Sequence, residues 1–204
     1  MKANTKPLIP DCYYHIYNRG INGEVIFKIP TDYQLFLLKY IQHVTPIVNT
    51  FAYCLMGNHF HFFINVKSEN EILNSVQLKY PGKRVVSIPK WISSQFAHLF
   101  NGYSQTFNKK EQRTGGLFET PFRRIEVTSD DYFSRLIAYI RHNPQKHEIA
   151  DDYKKYPYSS YNTHLSETET YLERAKVLKW FGGREQYKKF HELEQSNQIK
   201  FNLE

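Results

Sequence analysis

The feature of this sequence that most constrains its fold is the stretch over residues 48–66, where two runs rich in apolar residues are separated by Gly57-Asn58. On either side of that pair lie VNTFAYCLM and HFHFFINV, two runs rich in aromatic and β-branched residues. Runs of this kind, bounded by turn residues, are typical of β-strands. The stretch therefore predicts a β-hairpin, which belongs in an antiparallel sheet.

Helical periodicity and strand-like runs alternate along the rest of the chain. The predicted elements are a strand at 12–17, a helix from about 31 to 45, a short helix at 69–79, a basic loop at 80–90, a helix at 91–108, a strand at 117–127 and a helix from about 128 to 142. The first and last long helices have capping-box spacing at their starts, in Thr31 with Gln34 and in Thr128 with Asp131. Proline is expected to end both helices, at Pro46 and Pro144.

This order of elements predicts an α+β fold, in which helices pack on an antiparallel sheet. With 204 residues, 41% of them hydrophobic, the chain is long enough to bury a core without disulfides. Its two cysteines, Cys12 and Cys54, do not have the spacing of a metal-binding pair. Residues 1–164 are expected to form the main domain. Residues 165–204 are expected to form a helical extension of two short helices, split by Gly182-Gly183.

The most informative short motif is His59-Phe60-His61, at the start of the second hairpin strand. Because side chains alternate along a strand, His59 and His61 face one side, while Phe60, Phe62 and Ile64 face the other. Two such imidazoles can hold one divalent metal ion and leave positions open for substrate oxygens. A bare His-x-His pair is more often an ordinary hydrogen-bonded pair. The apolar backing favours the metal site, because it presses the strand onto a core.

A second motif is AYIRHNP, at residues 138–144. Tyr139 and Asn143 are four residues apart and so share one helix face. A tyrosine hydroxyl can attack phosphorus and hold the product as a phosphotyrosine. The Asn amide oxygen is a suitable ligand for a metal ion that neutralises charge on the phosphate. One tyrosine among 16 carries no signal by itself, and the flanking Tyr132 and Tyr153 are predicted to be packing residues.

The net charge of +7 comes from one segment. Between Lys79 and Arg124 there are nine basic residues against two acidic ones, which accounts for the whole surplus, while the rest of the chain balances. A basic segment interleaved with aromatics fits nucleic acid, although a solvated basic surface would have the same composition. The predicted phosphate contacts are Lys83, Arg84, Lys109, Lys110, Arg113, Arg123 and Arg124. Since Arg123 and Arg124 are adjacent on a strand, they are expected to face opposite ways. Tyr103 and Phe107 are expected in the core rather than as base-stacking platforms.

Four motifs, in this order, resemble the HUH single-tyrosine transposases, whose name denotes a His-hydrophobe-His strand. They are GNHFHFFI at 57–64, LFETPFRRIEV at 117–127, AYIRHNP at 138–144 and YPYSSY at 156–161. The opening YYHIYNRG also resembles the first strand of the family, so the resemblance spans roughly residues 11–162. It is closest to the branch that includes the transposases associated with repetitive extragenic palindromes (REP).

The resemblance implies the HUH-endonuclease architecture, a ferredoxin-like or RRM-like sheet. It implies that His59 and His61 bind Mg²⁺ or Mn²⁺, that Asn143 completes the metal site and that Tyr139 is the nucleophile. The implied reaction is the cleavage and rejoining of single-stranded DNA near hairpins through a 5′-phosphotyrosine. Because that intermediate keeps the bond energy, no ATP is expected.

Three other functions are weighed against this one. A domesticated relative that binds DNA hairpins without cleaving is disfavoured by the intact His59, His61, Tyr139 and Asn143. A replication-initiation or plasmid-mobilising nickase is expected to carry added domains, for which 204 residues leave no room. A metal hydrolase unrelated to DNA would not explain the basic segment.

The expected partners are single-stranded or hairpin DNA, with no membrane. A homodimer is also predicted, in which the tyrosine helix serves its own histidine pair or that of a partner. A cytoplasmic, nucleoid-associated protein is expected, because the chain shows neither a signal-peptide core nor a long apolar run. For His15 two roles are open, contact with the active site or capping of the sheet, and capping is favoured. His142 and His147 have no assigned role. The aromatics of the extension either pack as a helical hairpin or contact DNA; they are Trp180, Phe181, Tyr187 and Phe190.

Overall fold

The computed structural model describes residues 6–196, and a four-stranded sheet lies at their centre. The strand order is β2-β3-β1-β4, with β1 at Tyr13–Arg19, β2 at Val48–Met56, β3 at His59–Val66 and β4 at Arg123–Val127. Every neighbouring pair in this sheet is antiparallel. With the intervening helices, the chain follows the β-α-β-β-α-β path of a ferredoxin-like fold. The predicted α+β class is therefore confirmed.

β2 and β3 form the predicted hairpin, with both strands at their predicted bounds. Gly57 and Asn58 make the turn, and Met56 pairs with His59 directly across it. Nearly every residue of the two strands is buried. Since β1 pairs with the other edge of β3 from Asn65 to His59, the backbone that carries the two histidines is held from both sides.

Helices pack on both faces of the sheet. One face carries α1 (Pro30–His43), α2 (Glu69–Lys79) and α3 (Ile88–Lys110), which pack around Phe60 and Phe62. Tyr103 and Phe107 are buried in this core, as predicted. The other face carries α4 (Asp130–Lys146), which packs against Phe63. Alternate residues of β3 thus enter different cores, as the strand period requires.

The predicted start of α1 is wrong. The helix begins at Pro30, so Thr31 and Gln34 already lie inside it and do not form a capping box. Instead, the carboxylate of Asp32 accepts hydrogen bonds from the backbone N–H groups of Lys28 and Ile29, at 2.9 and 3.2 Å. A carboxylate in the first turn also interacts favourably with the positive end of the helix dipole.

The strand predicted over 117–127 is wrong in its first half. β4 begins only at Arg123, and the loop before it contains a cis Thr120-Pro121 peptide bond. Pro121 has no N–H to donate to a sheet ladder, and Phe118 makes a single bridge to Gly20. The loop brings Glu119 to the end of β1.

α4 differs from its prediction at both ends. Its N-cap is Ser129, whose hydroxyl accepts a hydrogen bond from the N–H of Tyr132 at 3.2 Å, so Thr128 with Asp131 is not the cap. The helix continues through Pro144 to Lys146. A proline removes one helical hydrogen bond, and here it does so only in the last turn. Consequently Tyr139 lies about two turns before the helix end, not in the last turn.

The C-terminal helices are α5 (Tyr161–Leu165), α6 (Arg174–Trp180) and α7 (Arg184–Ser196), and they pack near α4. Tyr187 is buried, and the indole N–H of Trp180 donates to the hydroxyl of Ser134 at 2.9 Å. The tail aromatics therefore pack as a helical pair. The division of the chain after residue 164 stays a prediction. Within residues 6–196, no helix is both long and apolar enough to cross a membrane.

Candidate active site

A pocket of about 650 Å³ lies between one end of the sheet and the C-terminal half of α4. Its volume is typical of a ligand site. Its lining includes side chains from β1, β3, β4, the loop before β4 and α4, namely Tyr17, Arg19, His59, His61, Glu119, Arg123, Tyr139 and His147. The pocket therefore brings together residues that are far apart in the sequence.

The two motif histidines lie side by side in this pocket. Their ring centroids are 5.4 Å apart and their planes are nearly perpendicular. Nδ1 of His59 lies 2.6 Å from Oδ1 of Asn58, and Nδ1 of His61 lies 2.9 Å from Nε2 of His15. Because both Nδ1 atoms are engaged, Nε2 is the nitrogen of each ring that is left for a ligand. Outer hydrogen bonds of this kind orient imidazoles that bind metals.

Burial keeps both imidazoles neutral. Burial, aided by the nearby His147 and Arg19, lowers the pKa of His59 to about 4. Burial, followed by the neighbouring His15 and His59, lowers the pKa of His61 well below its ordinary value. A neutral imidazole has the lone pair that a metal ion needs, and the protonated form does not. At neutral pH both rings therefore have the charge state that metal binding requires.

α4 places Tyr139 next to the histidine pair. The helix packs on the sheet through an apolar face of Phe133, Leu136, Ile137 and Ile140. The ring of Tyr139 meets that of His61 edge-on, with 5.7 Å between centroids, and that of His15 with 6.1 Å. A single chain therefore holds the tyrosine and both histidines in one pocket.

Asn143 is the one member of the predicted metal and nucleophile set that does not line the pocket. Its side chain is fully buried, and its Nδ2 donates to the carbonyl of Tyr139 at 3.0 Å. Its Oδ1 has no hydrogen-bond partner among the described residues. A buried oxygen without a partner is unusual and calls for an explanation such as a bound ion. Within residues 6–196, no group of three histidine, cysteine or acidic side chains has the arrangement of a metal site.

No family model matches the chain. A protein of Haemophilus influenzae named as a REP-associated tyrosine transposase is 25% identical to it over 115 residues. The matched region covers 55% of this chain and 58% of that protein, so the match spans little more than half of the relative's length.

Among solved structures, that of a REP-associated tyrosine transposase bound to a REP hairpin has the same fold. The TM-score is 0.61 at 13% identity, and the match covers 82% of this chain and 87% of the other. The resemblance to the HUH single-tyrosine transposases is confirmed. The motifs that carry this transposase resemblance, around His59, His61 and Tyr139, are the ones that meet in the pocket.

Two side chains near Tyr139 on α4 have no role in the sequence analysis, where His147 is left unassigned and Lys146 is not considered. The ring of His147 lies 5.0 Å from that of His59, and Nζ of Lys146 lies 5.4 Å from the ring centre of Tyr139. Both residues are about two turns beyond the tyrosine, and the expected helix end at Pro144 separated them from it. Extending the helix through the proline would have placed them on the same face.

His15 does not cap the sheet. It is fully buried in the middle of β1, where its ring stacks on Tyr17 at 4.9 Å and on His61 at 5.1 Å. Burial lowers its pKa to about 3. The strand alternation that places His15 on one face with Tyr17 was the available signal. That alternation does not show which residue of another strand lies beside His15, because the register between β1 and β3 is set only by the tertiary structure.

The two adjacent arginines of β4 face opposite ways, as expected of a strand. Arg123 lines the pocket. The guanidinium of Arg124 lies 4.0 Å over the ring of Phe122 and donates to the carbonyl of Lys6. Across the pocket rim, Arg19 forms an ion pair with Glu119 at 2.7 Å, and its side chain is 65% exposed. Among the described residues, Arg19 and Arg123 are thus the two lysine or arginine residues in the lining of the pocket.

The other predicted DNA contacts fall into two groups. Lys83, Arg84 and Lys109 are exposed, and Nζ of Lys83 lies over the ring of Trp91 at 4.6 Å. Lys110 is paired with Asp32 and Glu111, and Arg113 is paired with Glu24. Cations of the second group are already neutralised locally. Contact of either group with DNA stays a prediction.

Proposed function

We propose that this protein is a transposase that cleaves and rejoins single-stranded DNA near hairpins, with Tyr139 as its nucleophile. The observation that carries the proposal is the edge-on placement of Tyr139 against His61, at 5.7 Å, in a pocket that also holds His59. The names of the two relatives support it, since one is a tyrosine transposase and the other was solved on a REP hairpin. Hairpin DNA is accordingly the proposed partner of this chain.

In the proposed reaction, the hydroxyl oxygen of Tyr139 bonds to the scissile phosphorus as the bond from phosphorus to the 3′ oxygen breaks. The phenolic proton passes to solvent, and the released 3′ oxygen takes up a proton. The strand downstream of the break stays on the protein, with its 5′ phosphate joined to Tyr139 as a phosphotyrosine. Attack on that phosphorus by a 3′ hydroxyl rejoins a strand and frees the tyrosine. One phosphoester replaces another in each direction, so the reaction consumes no ATP.

The proposed cofactor is Mg²⁺ or Mn²⁺, held by Nε2 of His59 and of His61. The two imidazoles fit such an ion, because both rings are neutral and held by outer partners. Oδ1 of Asn143 is a buried acceptor without a hydrogen-bond partner among the described residues, but its side chain does not line the pocket. When bound, the ion would make the scissile phosphorus more electrophilic. Imidazole donors favour Mn²⁺ over Mg²⁺, which prefers oxygen ligands.

Charged side chains around the pocket support the same chemistry. Arg123 and Arg19 are placed to hold a phosphate by charge-assisted hydrogen bonds. The ion pair of Arg19 with Glu119 is exposed, so exchanging Glu119 for a phosphate would cost little. Nζ of Lys146 lies 5.4 Å from the ring centre of Tyr139, which supports a role for this cation in stabilising negative charge on the tyrosine.

The test is Tyr139→Phe, with Tyr132→Phe as the matched control on the same helix. Wild-type protein incubated with labelled hairpin oligonucleotide should trap a covalent adduct that carries the fragment downstream of the break, linked through its 5′ phosphate. Tyr139→Phe should keep hairpin and Mn²⁺ binding while losing cleavage by about 10³-fold or more. Tyr132→Phe should cleave as wild type does, because Tyr132 is a packing residue outside the pocket lining.

Cleavage that survives Tyr139→Phe, or a covalent link to a 3′ phosphate, would overturn the assignment. Wild-type protein that binds hairpins but forms no adduct would instead favour the domesticated hairpin-binding protein.

The predicted homodimer is proposed with each chain using its own tyrosine, because Tyr139 already lies beside the histidines of its own chain. Mixing Tyr139→Phe chains with His61→Ala chains should then restore no cleavage. Restored cleavage would show that the tyrosine acts on the histidine pair of a partner.

A further inference from the structure

A direct contact between two buried imidazoles lies behind the proposed metal site. In the β1–β3 register, His15 pairs with Phe63 and Tyr17 pairs with His61, so the two histidines are diagonal neighbours on one face. Nε2 of His15 lies 2.9 Å from Nδ1 of His61. Both side chains are almost fully buried. The contact is therefore a hydrogen bond that is shielded from bulk water, between two rings whose burial favours the neutral form.

A neutral imidazole carries one N–H, so this bond admits two proton arrangements. In the first, Nδ1–H of His61 donates to His15, and Nε2 of His61 has a free lone pair. In the second, Nε2–H of His15 donates to His61, and Nε2 of His61 carries its own proton. Only the first arrangement allows His61 to bind a metal ion, because a protonated nitrogen has no lone pair to offer.

The far nitrogen of His15 distinguishes the two arrangements. Nδ1 of His15 is buried and has no hydrogen-bond partner within residues 6–196. The first arrangement puts a proton on that nitrogen and leaves a buried donor unpaired. The second leaves a bare lone pair there. Because unpaired buried N–H groups are the rarer defect in proteins, the second arrangement is favoured without metal.

His59 has no such choice. Its Nδ1 lies 2.6 Å from Oδ1 of Asn58, an oxygen that can only accept. The proton of His59 is therefore on Nδ1, and its Nε2 has a lone pair with or without metal. The two histidines of the motif thus differ in how their protons are held.

We propose that His15 is a positioning residue of the metal site, which holds the ring of His61 by their shared hydrogen bond. When metal binds, the direction of this bond reverses, so that His61 becomes the donor and His15 the acceptor. This rests on the proposed function, in that the pocket takes a divalent ion. On binding, the proton of His61 moves from Nε2 to Nδ1 and that of His15 moves from Nε2 to Nδ1, so no proton is gained or lost. Metal coordination makes Nδ1–H of His61 a stronger donor, so the bond to His15 tightens in the loaded state.

The first experiment reads the tautomers in the wild-type protein. Long-range ¹H–¹⁵N spectra of histidine-labelled protein distinguish a proton on Nδ1 from one on Nε2. Without metal, His59 should be protonated on Nδ1 and His61 on Nε2. Zn²⁺, a diamagnetic ion that imidazoles bind, should shift the proton of His61 to Nδ1. If His61 is already protonated on Nδ1 in the metal-free protein, the proposed exchange is wrong.

The second experiment measures Mn²⁺ affinity in variants of His15. His15→Phe keeps a stacked ring but removes the hydrogen bond, and it should weaken Mn²⁺ binding by about 10- to 100-fold, as is usual for outer partners of metal ligands. His15→Gln offers an amide oxygen to His61 and should restore most of the affinity. Tyr13→Phe is the matched control, since Tyr13 is on the same strand and face but packs against Phe51.

The outcomes separate this inference from the proposed function. Wild-type protein that binds Mn²⁺ and cleaves, alongside a His15→Phe variant with equal Mn²⁺ affinity, would overturn the role of His15 alone. Wild-type protein that binds no Mn²⁺ would overturn both the metal site and the inference.

Discussion

Histidines cluster on two sides of helix α4. One cluster belongs to the pocket, and the other holds the C-terminal helices against α4. On the sheet side, His15, His59 and His61 surround Tyr139 and line or support an open pocket. On the side of the C-terminal helices, His191 packs with Arg141. Tyr139 and Arg141, the α4 residues in these two clusters, are two positions apart. That spacing is about 200° around a helix, so their side chains lie on roughly opposite faces.

The tail-side cluster is closed. Nδ1 of His191 donates to the carbonyl of Tyr187 at 2.7 Å, and its Nε2 accepts from Arg141 at 2.9 Å. The guanidinium of Arg141 is fully buried, lies 4.6 Å over the ring of Tyr187 and has no ion-pair partner among the described residues. Both nitrogens of His191 are thus committed to holding α7 against α4. In the pocket, each motif histidine has only one nitrogen engaged in a hydrogen bond. The second nitrogen remains for a ligand, whereas His191 serves only to hold two helices together.

The sharpest way to break this comparison is to remove one histidine from each cluster. His61→Ala should weaken Mn²⁺ binding by about 100-fold or more and abolish cleavage. His191→Ala should leave Mn²⁺ affinity unchanged but cost about 2–4 kcal/mol of unfolding free energy, because it opens a cavity and leaves Arg141 unpaired. Mn²⁺ titration and urea unfolding measure the two effects. A His191→Ala variant that loses Mn²⁺ as His61→Ala does would show that the clusters are not separate.

Acid should weaken the closed cluster through His191 and through His164, a buried histidine whose ring lies 6.0 Å from that of Tyr187. Burial lowers the pKa of His164 to about 2 and that of His191 well below its ordinary value, whereas the unfolded chain takes up these protons near pH 6.5. Below that pH the unfolded state binds more protons, so stability falls as pH falls. Each such histidine should cost about 1.4 kcal/mol of unfolding free energy per pH unit below 6.5.

Urea unfolding at pH 6.5 and 5.5 measures that loss. In His164→Gln, the loss of unfolding free energy between pH 6.5 and 5.5 should be smaller by the contribution of one histidine. A free energy of unfolding that is equal at the two pH values would contradict this account of the buried rings.

Arg141→Met asks whether the buried charge itself holds the tail. Burial lowers the pKa of Arg141 to about 9, because desolvation of the cation outweighs the stabilisation by Tyr161 and Tyr153. Replacing a buried charge by an apolar side chain of similar volume removes the desolvation cost of that charge, which offsets the loss of the hydrogen bond to His191. The unfolding free energy should therefore change by about 1 kcal/mol or less. A loss of about 3 kcal/mol or more of unfolding free energy would show that the charge of Arg141, rather than its packing, holds the helices together.

The smallest expected effect concerns which side of α4 meets DNA. Arg123→Ala, on the pocket side, should weaken hairpin binding and reduce the slope of log affinity against log salt by about one. Lys179→Ala, an exposed cation of α6 on the tail side, should leave both unchanged. Fluorescence anisotropy over a salt series measures the slopes. Equal changes in the two variants would mean that the DNA extends over the tail helices.

Much of this protein follows from local rules applied to its sequence. The bounds of β2 and β3, the shared face of His59 and His61 and the presence of Tyr139 on a helix all depend on periodicities within a few residues. Such periodicities survive in any fold that buries the apolar face. Errors arose where a local rule had two solutions. Asp32 capped α1 in place of Thr31, and Pro144 was tolerated because it falls in the last helical turn.

Only the tertiary structure decided which residues share the pocket and which nitrogen of each histidine remains for a ligand. His15 and His61 are 46 positions apart, and Arg141 and His191 are 50 positions apart. Their contacts depend on strand register and on the path of the tail, which no spacing within a motif encodes. A histidine looks the same in the sequence whether it fastens a helix or binds an ion. Its role is set by the hydrogen bonds that the rest of the fold brings to its two nitrogens.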